Sequence, residues 1–497
     1  MSSYARFLEW THLPKVFRWT ALSGGRGIPG TAVTTLLFCA ATVLSSSAQT
    51  FTTLLNFDIA DGAKPYFMSF VQGLDGNLYG TTSLGGATDH ACPVGCGTVL
   101  RMTPGGTIAR LHSFHITDGE SPYAGLAQDS HGNFYGTTYQ GGANGAGTVF
   151  KMTPGGTLTT LYDFPVNAGS PIGALIQASD GNFYGTTNVG GEDDRGTVFK
   201  ITPGGVLTTL CSFYPTTNGS LPYSPLVQAS NGNFYGVTAH GGVSDVGTVF
   251  EVTPKGVLTT LHSFGGADGE YPAGGLILGT DGDLYGTTTF GGGSSSCGGG
   301  CGTLFKMTPG GTLTTIYSFQ GFSDGQSPTG GVVQGTDGNF YGTSQLGGNY
   351  IDCSSGCGTI FEITSAGVLT TLHAFGTSSD DGSDPVAGLT QATNGIFYGT
   401  TSSDGNSGYG TVFSISVGLA SFVETRPTSG RVGARVDVLG TDLVGATAVS
   451  FNGTPATFTG SDSVIHTTVP AGATTGTVTV TTPSGTLSSN VEFRVGQ

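Results

Sequence analysis

Apolar residues in this chain come in short runs divided by Gly, Pro, Asn and Asp, and the same succession of runs returns about every 50 residues. Residues 174–214 show one unit of it. Ala174-Leu175-Ile176-Gln177-Ala178 is a short apolar run, Asp180-Gly181-Asn182 is a tight-turn signal, and Phe183 to Thr187 is a second run. A Gly-Gly loop leads to Gly196-Thr197-Val198-Phe199-Lys200-Ile201, Pro203-Gly204-Gly205 turns the chain again, and Val206 to Phe213 completes the unit. β-Branched and aromatic residues occupy the runs, and Gly and Pro the breaks, so each unit predicts four strands. The runs are apolar throughout instead of strictly alternating. That pattern belongs to a sheet covered on both faces, which one unit cannot provide for itself.

The marker Tyr-Gly-Thr or Tyr-Gly-Val occurs seven times, at Tyr79, Tyr135, Tyr184, Tyr235, Tyr285, Tyr341 and Tyr398, spaced by 56, 49, 51, 50, 56 and 57 residues. A period near 50 with four strands per unit predicts a β-propeller rather than an open solenoid. The fourth-strand signal also occurs seven times, ending at Phe57, Phe114, Phe164, Phe213, Phe264, Phe319 and Phe375. The first of these precedes any second strand, and the last unit has no fourth strand after Ser414. The two deficits are complementary, so strand 51–57 is expected to pair with 410–415 and leave the ring without a free edge. The predicted fold class is all-β: a seven-bladed β-propeller over 49–417, closed by the N-terminal strand, then an immunoglobulin-like β-sandwich over 418–497.

Tyr-Gly-Thr-Thr, Gly-Thr-Val-Phe and Thr-Pro-Gly-Gly resemble the GloVer tandem repeat of bacterial exported proteins, over about 370 residues. That resemblance implies work outside the cytoplasm and leaves the activity undefined. After Ser416 the repeat stops. Arg426-Pro427-Thr428-Ser429-Gly430, Gly440-Thr441-Asp442-Leu443, Ala448-Val449-Ser450-Phe451-Asn452-Gly453 and Val469-Pro470-Ala471-Gly472 are similar to an IPT/TIG domain, an immunoglobulin-like fold, which implies a spacer or binding module.

Residues 1–48 read as an export signal. Arg6, Lys15, Arg18 and Arg26 precede an apolar run from Thr31 to Leu44, too short for a membrane span, and Ser46-Ser47-Ala48 suits cleavage. The mature chain then holds 12 Lys and Arg against 31 Asp and Glu, a net charge near −19. That acidity argues against nucleic acid and anionic lipid as partners. No nucleotide-binding fingerprint and no hydrolase or zinc-protease motif is present. No transmembrane segment is expected in the mature chain, and no apolar tail with basic flanks ends it, which favours a secreted, periplasmic or surface protein over a tethered one. Six cysteines form three Cys-x3-Cys pairs, Cys92/Cys96, Cys297/Cys301 and Cys353/Cys357. In an oxidising compartment these read as local disulfides. Zinc is the competing reading, but no His follows at a matching distance. Cys211 lies on a strand and reads as a small buried hydrophobe.

Turns between first and second strands and between third and fourth are short and uniform, and they share one end of the ring. The second-to-third loops and the crossovers share the other end and hold the variation, so that loop face is the expected working surface. The three Cys pairs fall in the three longest loops. Candidate binding residues there are Asp89, Tyr139, Asp193, Asp194, Asp245, Phe290, Tyr350, Asp352, Asp404 and Tyr409; no metal, cofactor or catalytic residue is assigned. Two of the acids facing one pocket would suit glycoside chemistry; otherwise they are solvated loop residues. Gln72, Gln128, Gln177, Gln228, Gln334 and Gln391 recur on strand one. They either line a polar axis or bond backbone groups between units. Asp61, Asp118, Asp268, Asp324 and Asp381 read as Asx turns of the crossovers, and His112, His262 and His373 as surface positions. The expected function is a non-catalytic binding protein of the cell exterior with a glycan or protein ligand. A polysaccharide hydrolase or lyase, and a structural matrix component, are the alternatives.

Overall fold

A computed structural model describes residues 49–88, 90–349, 353–460 and 462–496. The expected leader, 1–48, lies outside the described residues. The described chain is all-β, with no α-helix and one 3-10 turn, Phe322–Asp324. No helix among the described residues is long and apolar enough to cross a membrane.

Seven four-stranded antiparallel sheets occupy residues 50–416. They are called first to seventh here, after Tyr79, Tyr135, Tyr184, Tyr235, Tyr285, Tyr341 and Tyr398. The third is typical: Ile176–Gln177, Phe183–Thr187, Thr197–Ile201 and Leu207–Ser212 pair in chain order. The seventh takes its outer strand from the other end of the domain. Thr50–Asn56 runs antiparallel to Thr411–Ser416, from Thr50 opposite Ser416 to Asn56 opposite Thr411. Phe51 in that strand also stacks on His373 of the sixth sheet, ring centroids 3.7 Å apart.

The cores lie between sheets rather than within them. Tyr184, Val198 and Phe213 of the third sheet pack with Leu226, Phe234, Phe250 and Val252 of the fourth, and the same grouping repeats along the chain. Tyr398, Val412 and Phe57 of the seventh pack on Met68, Phe70, Leu78, Leu100 and Met102 of the first, so the succession of contacts returns to its start. The repeated motif now has physical content. The Tyr of Tyr-Gly-Thr stacks on the Phe that opens the next sheet's second strand: Tyr79 on Phe134 at 4.0 Å, Tyr135 on Phe183 at 3.9 Å, Tyr184 on Phe234 at 4.0 Å. Its hydroxyl donates to an aspartate of its own first turn, as in Tyr184 to Asp180 (2.9 Å), Tyr285 to Asp281 (2.7 Å) and Tyr341 to Asp337 (2.8 Å). Burial first, and the carboxylate second, push these phenols up, Tyr285 to about 12. The following Gly is required by close approach. A Cβ at Gly185 would sit 2.8 Å from both Leu175 and Phe199. The next Thr but one bonds the Thr of Gly-Thr across the strands, as in Thr187 to Thr197 at 2.7 Å.

The crossovers are clasped differently from the expectation. Asp118, Asp268 and Asp324 accept from N–H groups three or four residues earlier (His115, Gly265, Gln320) instead of forming forward Asx turns. Asp381 likewise accepts from the Thr377 N–H, and the other carboxylate oxygens of Asp118, Asp268 and Asp381 explain the histidines. His112, His262 and His373 are not free surface positions: their side chains are 15–24% exposed and meet Asp118 (3.0 Å), Asp268 (2.6 Å) and Asp381 (2.9 Å). Each links an outer strand to the loop that leaves it.

Residues after 416 form two further four-stranded sheets, one containing Val423–Arg426 and Arg435–Gly440, the other Ala448–Phe451 and Val478–Thr482. A single core of Val423, Val436, Val438, Phe451, Ile465, Val478, Val480 and Phe493 lies between them. This module contacts the first-to-second turns of three sheets. Arg426, held by Glu424 at 3.0 Å, donates to Gln128 at 2.9 Å. Thr441 bonds Thr393 (2.9 Å), and Ser463 donates to the Leu74 carbonyl (3.1 Å). The module therefore occupies the short-turn end and leaves the loop end open.

Tyr341→Phe removes a hydrogen bond to a carboxylate and should cost about 1.5–3 kcal/mol, while Gly185→Ala should cost about 1–3 kcal/mol by overpacking. Both are read as a lower denaturation midpoint at unchanged m-value. Burial would raise the Asp381 carboxyl, but the His373 bond and charge, with the Thr377 N–H and hydroxyl, outweigh it and hold that carboxyl below its usual range. A depressed carboxyl stabilises above its unfolded pKa, and that contribution is lost as pH falls through the folded value. Melts between about pH 7 and about pH 3 should therefore show a smaller acid-side loss in His373→Gln than in the wild type, the difference opening below about pH 4.

Candidate functional site

Each crossover ends in a residue followed by Pro: Lys64, Ser121, Ser170, Leu221, Tyr271, Ser327 and Asp384. All seven sit at φ between +53° and +57°, although none is Gly. Both backbone groups are held. Ser121, for example, donates to the Cys96 carbonyl and accepts from the Tyr139 N–H. Non-glycine residues in this region cost energy and persist where surrounding structure dictates them. The chain then dives toward the first strand, and these segments from all seven sheets enclose a cavity of about 340 Å³.

That cavity is walled by small and apolar groups, among them Phe67, Ala124, Ile172, Ala273 and Val386, and by Val71, Ile277 and Val333 of the first strands. Two of its lining residues, Ser224 and Thr329, have hydroxyl oxygens shut off from solvent and without a hydrogen-bond partner among the described residues. The segments that build it belong to the loop end, opposite the C-terminal module. The recurrent Gln residues do not line it as a polar ring. Gln72, Gln228, Gln334 and Gln391 accept from the N–H of Thr393, Ser179, Thr280 and Thr336 in the preceding sheet, and Gln72, Gln228 and Gln334 also donate to carbonyls of their own turns. These amides bind sheet to sheet at the short-turn end.

The candidate residues separate into groups. Asp89, Tyr350 and Asp352 lie outside the described residues. Asp194 and Asp245 hold equivalent places in two loops, each accepting from a loop glycine (Gly190 at 2.8 Å, Gly241 at 2.9 Å), while Asp193 is exposed. These acids order their own loops and are not gathered into one pocket. Tyr139 joins Tyr123 and Tyr66 in a chain of edge contacts, 5.3 and 6.1 Å between centroids. Asp404 and Tyr409 meet at the seam between the seventh and first sheets. There the Tyr409 carbonyl accepts from the Lys64 N–H, Ser383 Oγ bonds Asp404, and Lys64 Nζ donates to Ser403 at 3.2 Å. The same seam holds Asp384, which the sequence reading passed over. Burial, countered by a Ser403 bond and reinforced by the Asp404 charge, pushes its carboxyl up. The available signal was its place before Pro385, shared with Lys64 before Pro65. Phe290 lies apart, 39% exposed, over the fifth and sixth sheets.

The three Cys pairs are bridged, each with Cα atoms 5.3–5.4 Å apart. Cys211 is free, and burial pushes its thiol up to about 11. Among the described residues no group of three or more His, Cys, Asp or Glu is placed to hold a metal ion.

A family model described as the Gloeobacter/Verrucomicrobia repeat matches residues 30–228, 86–299 and 293–454. No curated protein matches the chain. Among solved structures, the chain is similar to a fungal alcohol oxidase of the AA5 family in complex with copper, at 14% identity and TM-score 0.52, covering 90% of this chain and 99% of that one. A gluconolactonase from Xanthomonas campestris (13% identity, 73% and 99% coverage, TM-score 0.39) and a luciferin-regenerating enzyme (14%, 60% and 92%, TM-score 0.37) are more distant. At these identities the first is a likeness of fold, and the other two do not bear on function.

Replacing Gln334 by Leu leaves the Thr280 N–H without its acceptor in the next sheet. It should lower stability by about 0.5–1.5 kcal/mol in chemical denaturation.

Proposed function

The chain belongs to the Gloeobacter/Verrucomicrobia repeat family, and from that premise we propose that it is an exported, non-catalytic binding protein whose ligand enters the axial cavity from the loop end. In this reading the seven sheets form a closed seven-bladed propeller, and the C-terminal module is an immunoglobulin-like domain of the IPT/TIG kind that acts as spacer or second contact. The observation that carries the proposal is the cavity itself. All seven sheets contribute to it, and the module sits at the opposite end. A preformed cavity of this size, mostly apolar with a few polar groups, suits a small ligand or the end of a larger glycan or protein chain. Work outside the cytoplasm accords with three bridges among seven described cysteines.

One observation favours a second reading. Asp384, whose carboxyl burial and the Asp404 charge push up, shares one seam with Asp404, a carboxyl pair of the type that glycoside hydrolysis employs.

The two readings separate in one experiment. Residues 49–497 are screened against glycan and protein arrays while release of reducing ends is followed. Ala273→Trp, which fills the cavity, should abolish the binding found, and Asp384→Asn should leave it intact. Turnover that disappears in Asp384→Asn would replace the binding reading with the enzymatic one. Binding indifferent to Ala273→Trp would remove the cavity from the proposal.

A further inference from the structure

A second concavity, of about 380 Å³, lies away from the axis between the loops of the fifth and sixth sheets. Its aromatic walls are Phe290 and Phe322, and its polar groups include the side chains of Gln326, Gln345, Ser296 and Ser355. Among the described residues that line it, none is charged.

Several features show that this groove is held ready. Phe322 is 63% exposed and has φ +55°, a conformation disfavoured for a bulky residue. The strain is supported from below. Gly321 lies on the Cys297–Cys301 bridge, so closely that a Cβ there would come within 3.0 and 3.2 Å of the two sulfurs. The Phe322 carbonyl also accepts from the Gly348 N–H of the sixth sheet's loop. That loop is tied by Cys353–Cys357, and its Ser355 carbonyl accepts from the Gly347 N–H at 3.0 Å. On the opposite wall, Phe290 is fixed by paired backbone bonds with Glu270 and by an edge contact with Tyr271, 5.8 Å between centroids. The Gln345 side chain makes no hydrogen bond to the described residues, while its backbone N–H is held by Ser327. Two long insertions are thus each braced by a disulfide and joined through one aromatic turn.

The chemistry of the walls selects the ligand. Aromatic faces accept the C–H face of a sugar ring, and amides and hydroxyls match its hydroxyl groups. An ionised ligand would meet no counter-charge among the described lining residues, and the chain's net charge of −16 repels polyanions. A purely apolar ligand would strand the amides. We infer that this groove is a binding subsite for a neutral saccharide, distinct from the axial cavity and independent of whether that cavity is occupied.

Isothermal titration of residues 49–497 tests this. The probes are neutral cello-, xylo-, malto- and laminari-oligosaccharides, with oligogalacturonate as the charged control. At least one neutral series should bind with Kd at or below about 1 mM, and oligogalacturonate should not. Phe322→Ala should weaken that binding at least about tenfold and Gln345→Ala several-fold. Both side chains are partly or largely exposed, so Tm should stay within a few degrees of wild type. Ala273→Trp should have no effect. The inference is overturned if no neutral series binds, if only the charged control binds, or if Phe322→Ala and Gln345→Ala bind as wild type does. Loss of binding in Ala273→Trp alone would place the sugar in the axial cavity and equally overturn it.

Discussion

The contact on which the rest of this structure depends is made by the tyrosine of Tyr-Gly-Thr. Its ring lies on the first aromatic residue of the next sheet's second strand, and its hydroxyl reaches the aspartate of its own first turn. One side chain thereby joins a turn, a strand and the neighbouring sheet. The pairing also tolerates coordinated change. Where the next sheet offers Leu284 or Leu78 instead of Phe, the turn residue is Asn231 or Asn394. Asn231 then donates to the Tyr235 oxygen while the Tyr235 hydroxyl donates to Glu251, and Asn394 donates to Tyr398 while Tyr398 donates to the Pro104 carbonyl. The phenol remains satisfied in each case, as a buried hydroxyl must.

Because stability resides between sheets, the two ends of the body are released for different uses. At the short-turn end, Gln amides and the C-terminal module tie neighbouring sheets together. At the loop end, a ring of left-handed residues before proline sets the backbone, and the side chain at each position varies from Lys64 to Leu221 to Asp384. The scaffold thus fixes where side chains are presented without prescribing what they are, the usual relation between a rigid fold and its binding loops. The braced loops of the fifth and sixth sheets extend the same division of labour.

Much of the fold was legible because its causes are local and repeated. Turn chemistry, apolar runs and the missing strands at the two ends led directly to the pairing of Thr50–Asn56 with Thr411–Ser416. The three bridges followed from spacing and compartment. The site was legible only in part. Asp194 and Asp245 look like functional acids in sequence, yet each closes its own loop, which depends on a backbone geometry that residue type does not reveal. His112, His262 and His373 look solvated because strand four is outermost, but the crossover folds back over them. Asp384 was overlooked because its neighbour Asp404 is some twenty residues away and their meeting requires the loops to be placed.

The chain alone determined the number of repeating units, the four strands of each, the complementary ends and the Cys pairs, since each rests on interactions within one unit or on a count of units. The tertiary structure decided which end the C-terminal module covers, that the recurrent amides join sheets rather than line an axis, and that Phe322 stands beside Phe290 above a disulfide. Those outcomes depend on distances between residues remote in the chain, and such distances are set only when sheets pack.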